Sequence, residues 1–238
     1  MGYGKRQLSR LKWEDLVSLG GIQIRAAPST LAAGKTMRKF IKRIHLKGIF
    51  VGIFILLSGS VFAGTVGLLE LNGAKKIGPL SHEGFAKLAA SQFAGKVQIK
   101  GRLKADECQF QDEVYVEGRA NLLQVDAEKK VSLRGMAEIF RSNFKADLKI
   151  EGDQGSSLGK SEVSGKIEFT GNDFAIVANS QIESIEISPS LEHPKDPVLT
   201  VKGGSKVLGT IRFNRPGKVI VESGAEIHQV VNGEVIRN

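Results

Sequence analysis

The sequence predicts an all-β protein whose main part is a single-stranded parallel β-helix, or β-solenoid, of about 17 residues per coil, preceded by one N-terminal hydrophobic helix. A repeat of fixed length and an uncharged apolar run before it support this fold. The repeat places five glycines at intervals of seventeen residues, namely Gly84, Gly101, Gly118, Gly135 and Gly152. This period is too short for a helical hairpin and is typical of one solenoid coil per repeat.

The side chains within a repeat alternate between apolar and polar, as in a strand with one buried face. Around Gly101, where a glycine permits a bend, the apolar positions are Val97, Ile99, Leu103 and Ala105. Another recurring position predicts a second face, and it holds Phe93, Phe110, Ala127, Phe144 and Ser161. We expect each buried side chain to pack against the equivalent side chain of the next repeat, and the glycines to align one above another.

Residues 1–47 form a basic segment, either a cytoplasmic tail or the n-region of a signal peptide. Residues 1–48 hold eleven Lys and Arg against only Glu14 and Asp15, which accounts for the whole net charge of +9. Because this excess lies just before an apolar run, it indicates membrane targeting and no nucleic-acid binding. Residues 1–36 are either translated or lie upstream of a true start at Met37.

Residues 48–70 are the predicted hydrophobic helix, and residues 71–79 form a linker to the coils. The uncharged stretch is long enough to cross a hydrocarbon core of roughly 30 Å. It is either a transmembrane helix or the core of a signal peptide that is cut after Ala63. The rest of the chain is then the periplasmic domain of a bacterial inner-membrane protein or, after cleavage, a periplasmic or secreted protein.

Regular coils are predicted for residues 80–164 and irregular ones for residues 165–238, with a proline loop at 189–197 that cannot join a strand ladder. No amphipathic helix follows to cover the last coil. An uncovered strand edge is a template for another chain. The sequence therefore predicts end-to-end self-association through a final rung of Val219, Val221, Ile227 and Val231.

No motif indicates a catalytic residue, a cofactor or a bound metal. The histidines lack metal-ligand spacing, and Cys108, the single cysteine, is expected to pack inward. The sequence Ala33-Gly34-Lys35-Thr36 lacks the earlier glycine of a phosphate-binding loop. Carboxylates recur near the turns, where a glycosidase or lyase could use them: Asp106, Glu107, Asp112 and Glu113. Interspersed basic side chains favour a solvated surface instead.

Three runs in the coils resemble the repeats of bactofilins, the polymer-forming bacterial cytoskeletal proteins, over about residues 80–230. They are Val97-x-Ile99-x-Gly101-x-Leu103, Val114-x-Val116-x-Gly118-x-Ala120 and Val207-x-Gly209-x-Ile211. The resemblance implies a right-handed β-helix that assembles end to end, without nucleotide or metal, near a membrane. The apolar segment differs from the family because it indicates an exported variant.

We therefore expect an exported, non-catalytic structural or self-assembling β-helix protein of the bacterial cell envelope. The alternative is a polysaccharide-binding or carbohydrate-active β-helix, similar to a lectin or a lyase, that uses a side wall of the solenoid. Hexapeptide acyltransferases also stack β coils, but this repeat is not a multiple of six residues. The expected partners are the membrane, through residues 48–70, further copies of the chain, and an envelope polysaccharide.

Overall fold

The computed structural model describes residues 65–152, 155–190, 192 and 195–238. Their strands pair only in parallel and wind into a β-solenoid of about ten turns, with successive turns about 17 residues apart. The predicted β-solenoid is confirmed at this level. The basic segment 1–47, and the predicted hydrophobic helix up to residue 64, lie outside the described residues. Within the described ranges, no helix is long and apolar enough to span a membrane.

Each coil has three faces, here called walls. Residues 97–110 serve as the reference coil, and residues of other coils are assigned to a wall by their strand pairing with it. Wall A aligns with residues 97–100, wall B with 103–106, and wall C with 109–110. Four long strands run through walls A and B: β1 (Thr65–Asn72), β3 (Leu80–Ala89), β5 (Val97–Asp106) and β7 (Val114–Leu123). Five two-residue strands form wall C: β2 (Lys75–Lys76), β4 (Gln92–Phe93), β6 (Gln109–Phe110), β8 (Asp126–Ala127) and β11 (Asn143–Phe144).

Later coils divide the same walls differently. Separate strands serve walls A and B: β9 (Val131–Arg134), β10 (Ala137–Phe140), β12 (Leu148–Glu151), β13 (Ser156–Gly159), β15 (Asp173–Val177) and β17 (Val198–Val201). Four strands begin in wall C and continue beyond it: β14 (Glu162–Thr170), β16 (Gln181–Ser188), β18 (Lys206–Val221) and β19 (Glu226–Arg237). Where described, residues 189–197 contain no strand, as the prolines predict.

Glycine forms the corner between walls A and B in the early coils. Gly84 pairs with Gly101, and Gly101 with Gly118, so the predicted column of glycines is confirmed. Gly118 has a φ of +131°, and a Cβ atom built there would overlap the carbonyl oxygen of Gly101. Only glycine combines this backbone conformation with such a close approach between coils.

The core lies between the three walls and consists of columns of equivalent side chains. Val97, Val114 and Val131 are buried in one column, and the rings of Phe93 and Phe110 stack 5.4 Å apart in another. Cys108 is also buried, as predicted. Burying like on like fits equal volumes into equal spaces, which is how repeated coils reach a close-packed interior.

The corner between walls B and C contains buried hydroxyl groups that the sequence analysis missed. Ser142 and Ser161 each follow a residue with φ near +50°. The Ser161 hydroxyl donates to the Gly159 carbonyl (2.8 Å) and accepts from the Ser142 N–H (3.0 Å). The pattern recurs along the corner at Ser91, Ser142, Ser161 and Ser180. These hydroxyls satisfy backbone groups where the chain turns out of the ladder.

The first coil begins at Thr65, earlier than the predicted start at residue 80. Strand β1 includes residues assigned to the end of the apolar segment, and β2 lies inside the predicted linker. The sequence in this region has only the small Ala63 four positions before Gly67, where the later repeats have leucine or valine. The strand is nevertheless formed by pairing Thr65–Asn72 with His82–Ala89 on β3.

Candidate functional site: the C-terminal coil

Strand β19 forms the last described coil and has one free edge. It pairs in parallel with β18 from Glu226 to Arg237, and no other described strand pairs with it. In this twelve-residue strand, the backbone donors and acceptors that point away from β18 therefore have no strand partner among the described residues. Such an edge can accept a strand from another molecule.

The four residues predicted for the final rung do not lie together on it. Val219 and Val221 are buried on β18, where β19 covers them through the pairs Val219↔Val235 and Val221↔Arg237. The prediction took the repeat that begins at Val219 as the last one. The twenty-residue spacing from Leu199 to Val219 is correct, but β19 adds a further strand over these two valines. Ile227 and Val231 do lie on β19, but only Ile227 is aligned with a core residue, Val207.

Two further residues complete the apolar end and were missed from the sequence. Val230 pairs with the buried Ile211, and Val235 with the buried Val219, so both side chains face the core direction. Val235 remains 40 % exposed because no later coil lies over it among the described residues. Register shifts between Val207 and Thr210 and between Arg212 and Gly217 disrupt the regular spacing before Val230 and Val235 respectively, which hid both positions.

Two ion pairs lie on the outer surface near this apolar end. Lys206 contacts Glu226 at 2.9 Å, and Lys202 contacts Glu222 at 3.5 Å. These pairs are largely exposed, and each contributes at most about 1 kcal/mol. They lie in wall C and at the corner before it, near Ile227.

The opposite end of the solenoid has both apolar and polar inward positions: Leu69 and Leu71 pack against the core, whereas Thr65 and Lys76 are polar. His82 is buried, with Nε2 3.0 Å from the Gly67 carbonyl and Nδ1 2.8 Å from the Thr65 hydroxyl. The neutral ring satisfies both contacts when Nε2–H donates and Nδ1 accepts. Lys76 takes the column position of Phe93, and burial lowers its pKa to about 8.

The outer surface of wall B carries a shallow depression of about 380 Å³. Glu138 accepts hydrogen bonds there from Arg119 (2.8 Å) and Asn121 (2.6 Å). The Asn121 Oδ1 atom is buried, and no described group is a hydrogen-bond partner for it. The Phe140 ring lies over Gly159 at one side of the depression, with the Arg141 guanidinium 5.4 Å from its centroid.

The carboxylates that the sequence analysis considered do not form one row. Asp106 is the last residue of wall B and Glu107 lies at the corner that follows, whereas Asp112 and Glu113 lie between walls C and A. Glu113 instead contacts Lys96 at 2.6 Å. In the part of the chain that the structure describes, no group of three or more His, Cys, Asp or Glu side chains could hold a metal ion.

The fold defines the class of this protein as a β-solenoid repeat protein. No protein-family model matches the chain, and no curated protein or solved structure matches it either. The function therefore has to be inferred from the surfaces of the solenoid itself.

Proposed function

We propose that this protein is an exported, non-catalytic structural element of a bacterial cell envelope that self-associates through an end of its solenoid. The observation that carries the proposal is the free edge of β19, together with the half-exposed core positions Ile227, Val230 and Val235. Such an end combines unpaired backbone groups with apolar surface, and both are stabilised when a further strand covers them. The bactofilin-like runs in the coils support the same type of assembly.

Export is supported by the basic and apolar segments and by the start of β1. Because Thr65–Glu70 belong to a strand, residues 48–64 remain for the apolar segment. This length is at the lower limit for a membrane span, which needs roughly 17 to 25 residues. Cleavage after Ala63 would release the whole of β1, so we favour the signal peptide over the membrane anchor.

Self-association is tested by light scattering on the purified protein over a hundredfold range of concentration. We expect a mass that exceeds one chain at micromolar concentration and decreases in Val230→Asp. The matched control is Thr200→Asp, an outward position on β17, which should keep the wild-type mass. A strictly monomeric wild type at the highest concentration would overturn the proposal.

Export is tested separately by N-terminal sequencing of the protein recovered from bacterial fractions. A mature N-terminus at Gly64 in the periplasmic or secreted fraction is expected. An intact N-terminus in the membrane fraction would favour the anchored form. An intact N-terminus in the cytoplasmic fraction would overturn the envelope role.

The depression on wall B favours a second candidate function, the binding of an envelope polysaccharide. Arg119, Asn121 and Glu138 present donors and acceptors beside the Phe140 ring, a combination that suits sugar hydroxyls and apolar sugar faces. A glycan array distinguishes the two candidates. Binding that is lost in Glu138→Ala but kept in Glu162→Ala, an exposed residue on another wall, would support this candidate.

A further inference from the structure

The Phe140 ring, at the edge of the depression on wall B, brings two cations together. The Arg141 Cζ atom lies 5.4 Å and the Lys160 Nζ atom 5.6 Å from the centroid of this one ring. Both distances are within the range of a cation–π contact. Arg141 and Lys160 directly follow Phe140 and Gly159, which pair on neighbouring strands. Two positive side chains therefore start from adjacent coils, whose backbones are about 4.8 Å apart, and converge on the same ring.

No carboxylate among the described residues lies within salt-bridge distance of Arg141 or Lys160. Glu138 lines the same depression, but its carboxylate is engaged with Arg119 at 2.8 Å. In the coil before Arg141, the corner position holds the uncharged Gln124. The two cations repel each other, and an anion bound between them would relieve that repulsion.

We propose that Arg141 and Lys160 bind the anionic group, a carboxylate or a phosphate, of an acidic polysaccharide that lies along wall B. Arginine and lysine are the side chains that proteins use to bind both of these groups. This inference rests on the second candidate function, the binding of a polysaccharide, and adds the charge of the ligand and the residues that select it.

An apolar strip beside the two cations extends over several coils, which favours a polymer over a small anion. Leu123, Phe140 and Val177 are half-buried and point outward from wall B. Gly159 lies between Phe140 and Val177 in the same register column. From Leu123 to Val177, the strip covers three strand spacings, or about 14 Å along the solenoid axis. This length suits a short run of sugar rings whose apolar faces lie on the strip.

Gly159 shapes the strip. A Cβ atom at this position would come within 2.8 Å of Val177 Cγ2 and 3.0 Å of Phe140 Cδ2. The absence of a side chain at Gly159 therefore lets the valine and the ring approach each other over the backbone. The ring that contacts both cations is consequently also part of the apolar surface.

The double variant Arg141→Gln/Lys160→Gln removes both charges and tests the proposal. Glutamine is compatible with this corner, since Gln124 adopts a φ of 53° there, as Arg141 does. The matched control is Lys100→Gln/Arg134→Gln, which removes the same two charges from exposed positions on wall A, two coils apart. Binding is measured with the purified protein on a glycan array that holds uronate-bearing, phosphate-bearing and neutral glycans.

We expect the wild type and the control to prefer acidic glycans. The double variant should bind those glycans at least about tenfold more weakly, because two charge-assisted contacts are lost. Wild-type binding should also weaken as the salt concentration rises, since both cations are exposed. The array distinguishes a carboxylate ligand from a phosphate ligand by the set of glycans that is bound.

The remaining outcomes separate this inference from the function on which it rests. Equal binding of neutral and acidic glycans overturns the acidic ligand but leaves polysaccharide binding intact. Unchanged binding in the double variant, or an equal loss in the control, shows that Arg141 and Lys160 do not form the site. Binding to no glycan removes both this inference and the second candidate function, and does not affect the proposed self-association.

Discussion

The early and late coils of the solenoid keep the same walls but differ at their corners. From Lys76 to Phe144, successive residues in one wall C column are seventeen positions apart. After Phe144, the column continues at Val163, Ile182, Val207 and Ile227, with unequal intervals. The ladder tolerates the insertions because they fall between the paired segments.

The register shifts show where the structure absorbs extra residues. Shifts occur after Val163, Ile182 and Val207, at the corner between walls C and A, and after Arg212, beside wall B. The serine corner between walls B and C continues through both regions, at Ser142, Ser161, Ser180 and Ser205. Inward columns and the serine corner therefore occur in both regions. The glycine column continues only to Gly171, and its positive φ values end at Gly135.

The largest expected effect comes from removing a ring of the shared core. Phe110→Ala should lower the free energy of unfolding by about 3–5 kcal/mol, because it loses the stack on Phe93 and leaves a cavity. Gln109→Ala is the control, since this residue lies outward on the same strand. Urea unfolding followed by circular dichroism measures both. Equal losses in the two variants would contradict the columns of core side chains.

The glycines with positive φ at the corner of the early coils should be difficult to replace. Gly118→Ala places a methyl group against the Gly101 carbonyl in a backbone conformation that disfavours alanine. We expect a loss of about 2–3 kcal/mol or more. Gly155→Ala, which meets no atom within 4 Å, should change stability little. If Gly118→Ala unfolded at the same temperature as Gly155→Ala, the corner at Gly118 would tolerate a side chain as well as the position of Gly155 does.

The serine corner should contribute to folding stability in both the early and the late coils. Ser161→Ala leaves the Ser142 N–H without its acceptor and should cost about 1–3 kcal/mol. Ser157→Ala, on the outer side of wall B, serves as the control. Hydrogen exchange at the Ser142 amide gives a local measure of the same bond. Unchanged protection of that amide would mean that the hydroxyl is dispensable.

The smallest effect concerns charges on the late coils. Hydrogen bonds from Lys166 lower the pKa values of Glu168 and Glu186, so these carboxylates stabilise the fold above about pH 4. That contribution is lost as the pH falls through their lowered pKa values. Lys166→Met should therefore destabilise the protein at pH 7 and not at pH 2. Because the side chains are about one-third exposed, the expected loss is at most about 1 kcal/mol.

The sequence predicted the features that repeat and failed where the repeat ends. Valine and phenylalanine columns follow from a fixed period, so Val97, Phe93 and Gly101 were assigned correctly. The final rung required the number of residues in each late turn, and unpaired bulges such as 214–216 change that number. Val219 and Val221 were consequently placed at an end that Val230 and Val235 occupy.

The serine corner was missed for a different physical reason. A serine is a weak signal in a strand pattern, and its role depends on a left-handed neighbour such as Arg141 or Lys160. Arginine and lysine are not among the residue types that favour a positive φ, so the sequence gives no sign of this conformation. The spacing of Ser142 and Ser161 becomes informative only when the carbonyl of Phe140 or Gly159 is seen to turn toward the hydroxyl.

The in-register pairing of β5 with β3 and β7 makes the length of the rod adjustable by whole coils. Excising residues 97–113 would join Lys96 to Val114 and leave Val114 over Leu80, Gly118 over Gly84 and Ala127 over Phe93. Such a shortened rod should lose about 4.8 Å, the distance between neighbouring strands. Duplicating the same segment should lengthen the rod by the same increment, so its length can be set in steps of one turn.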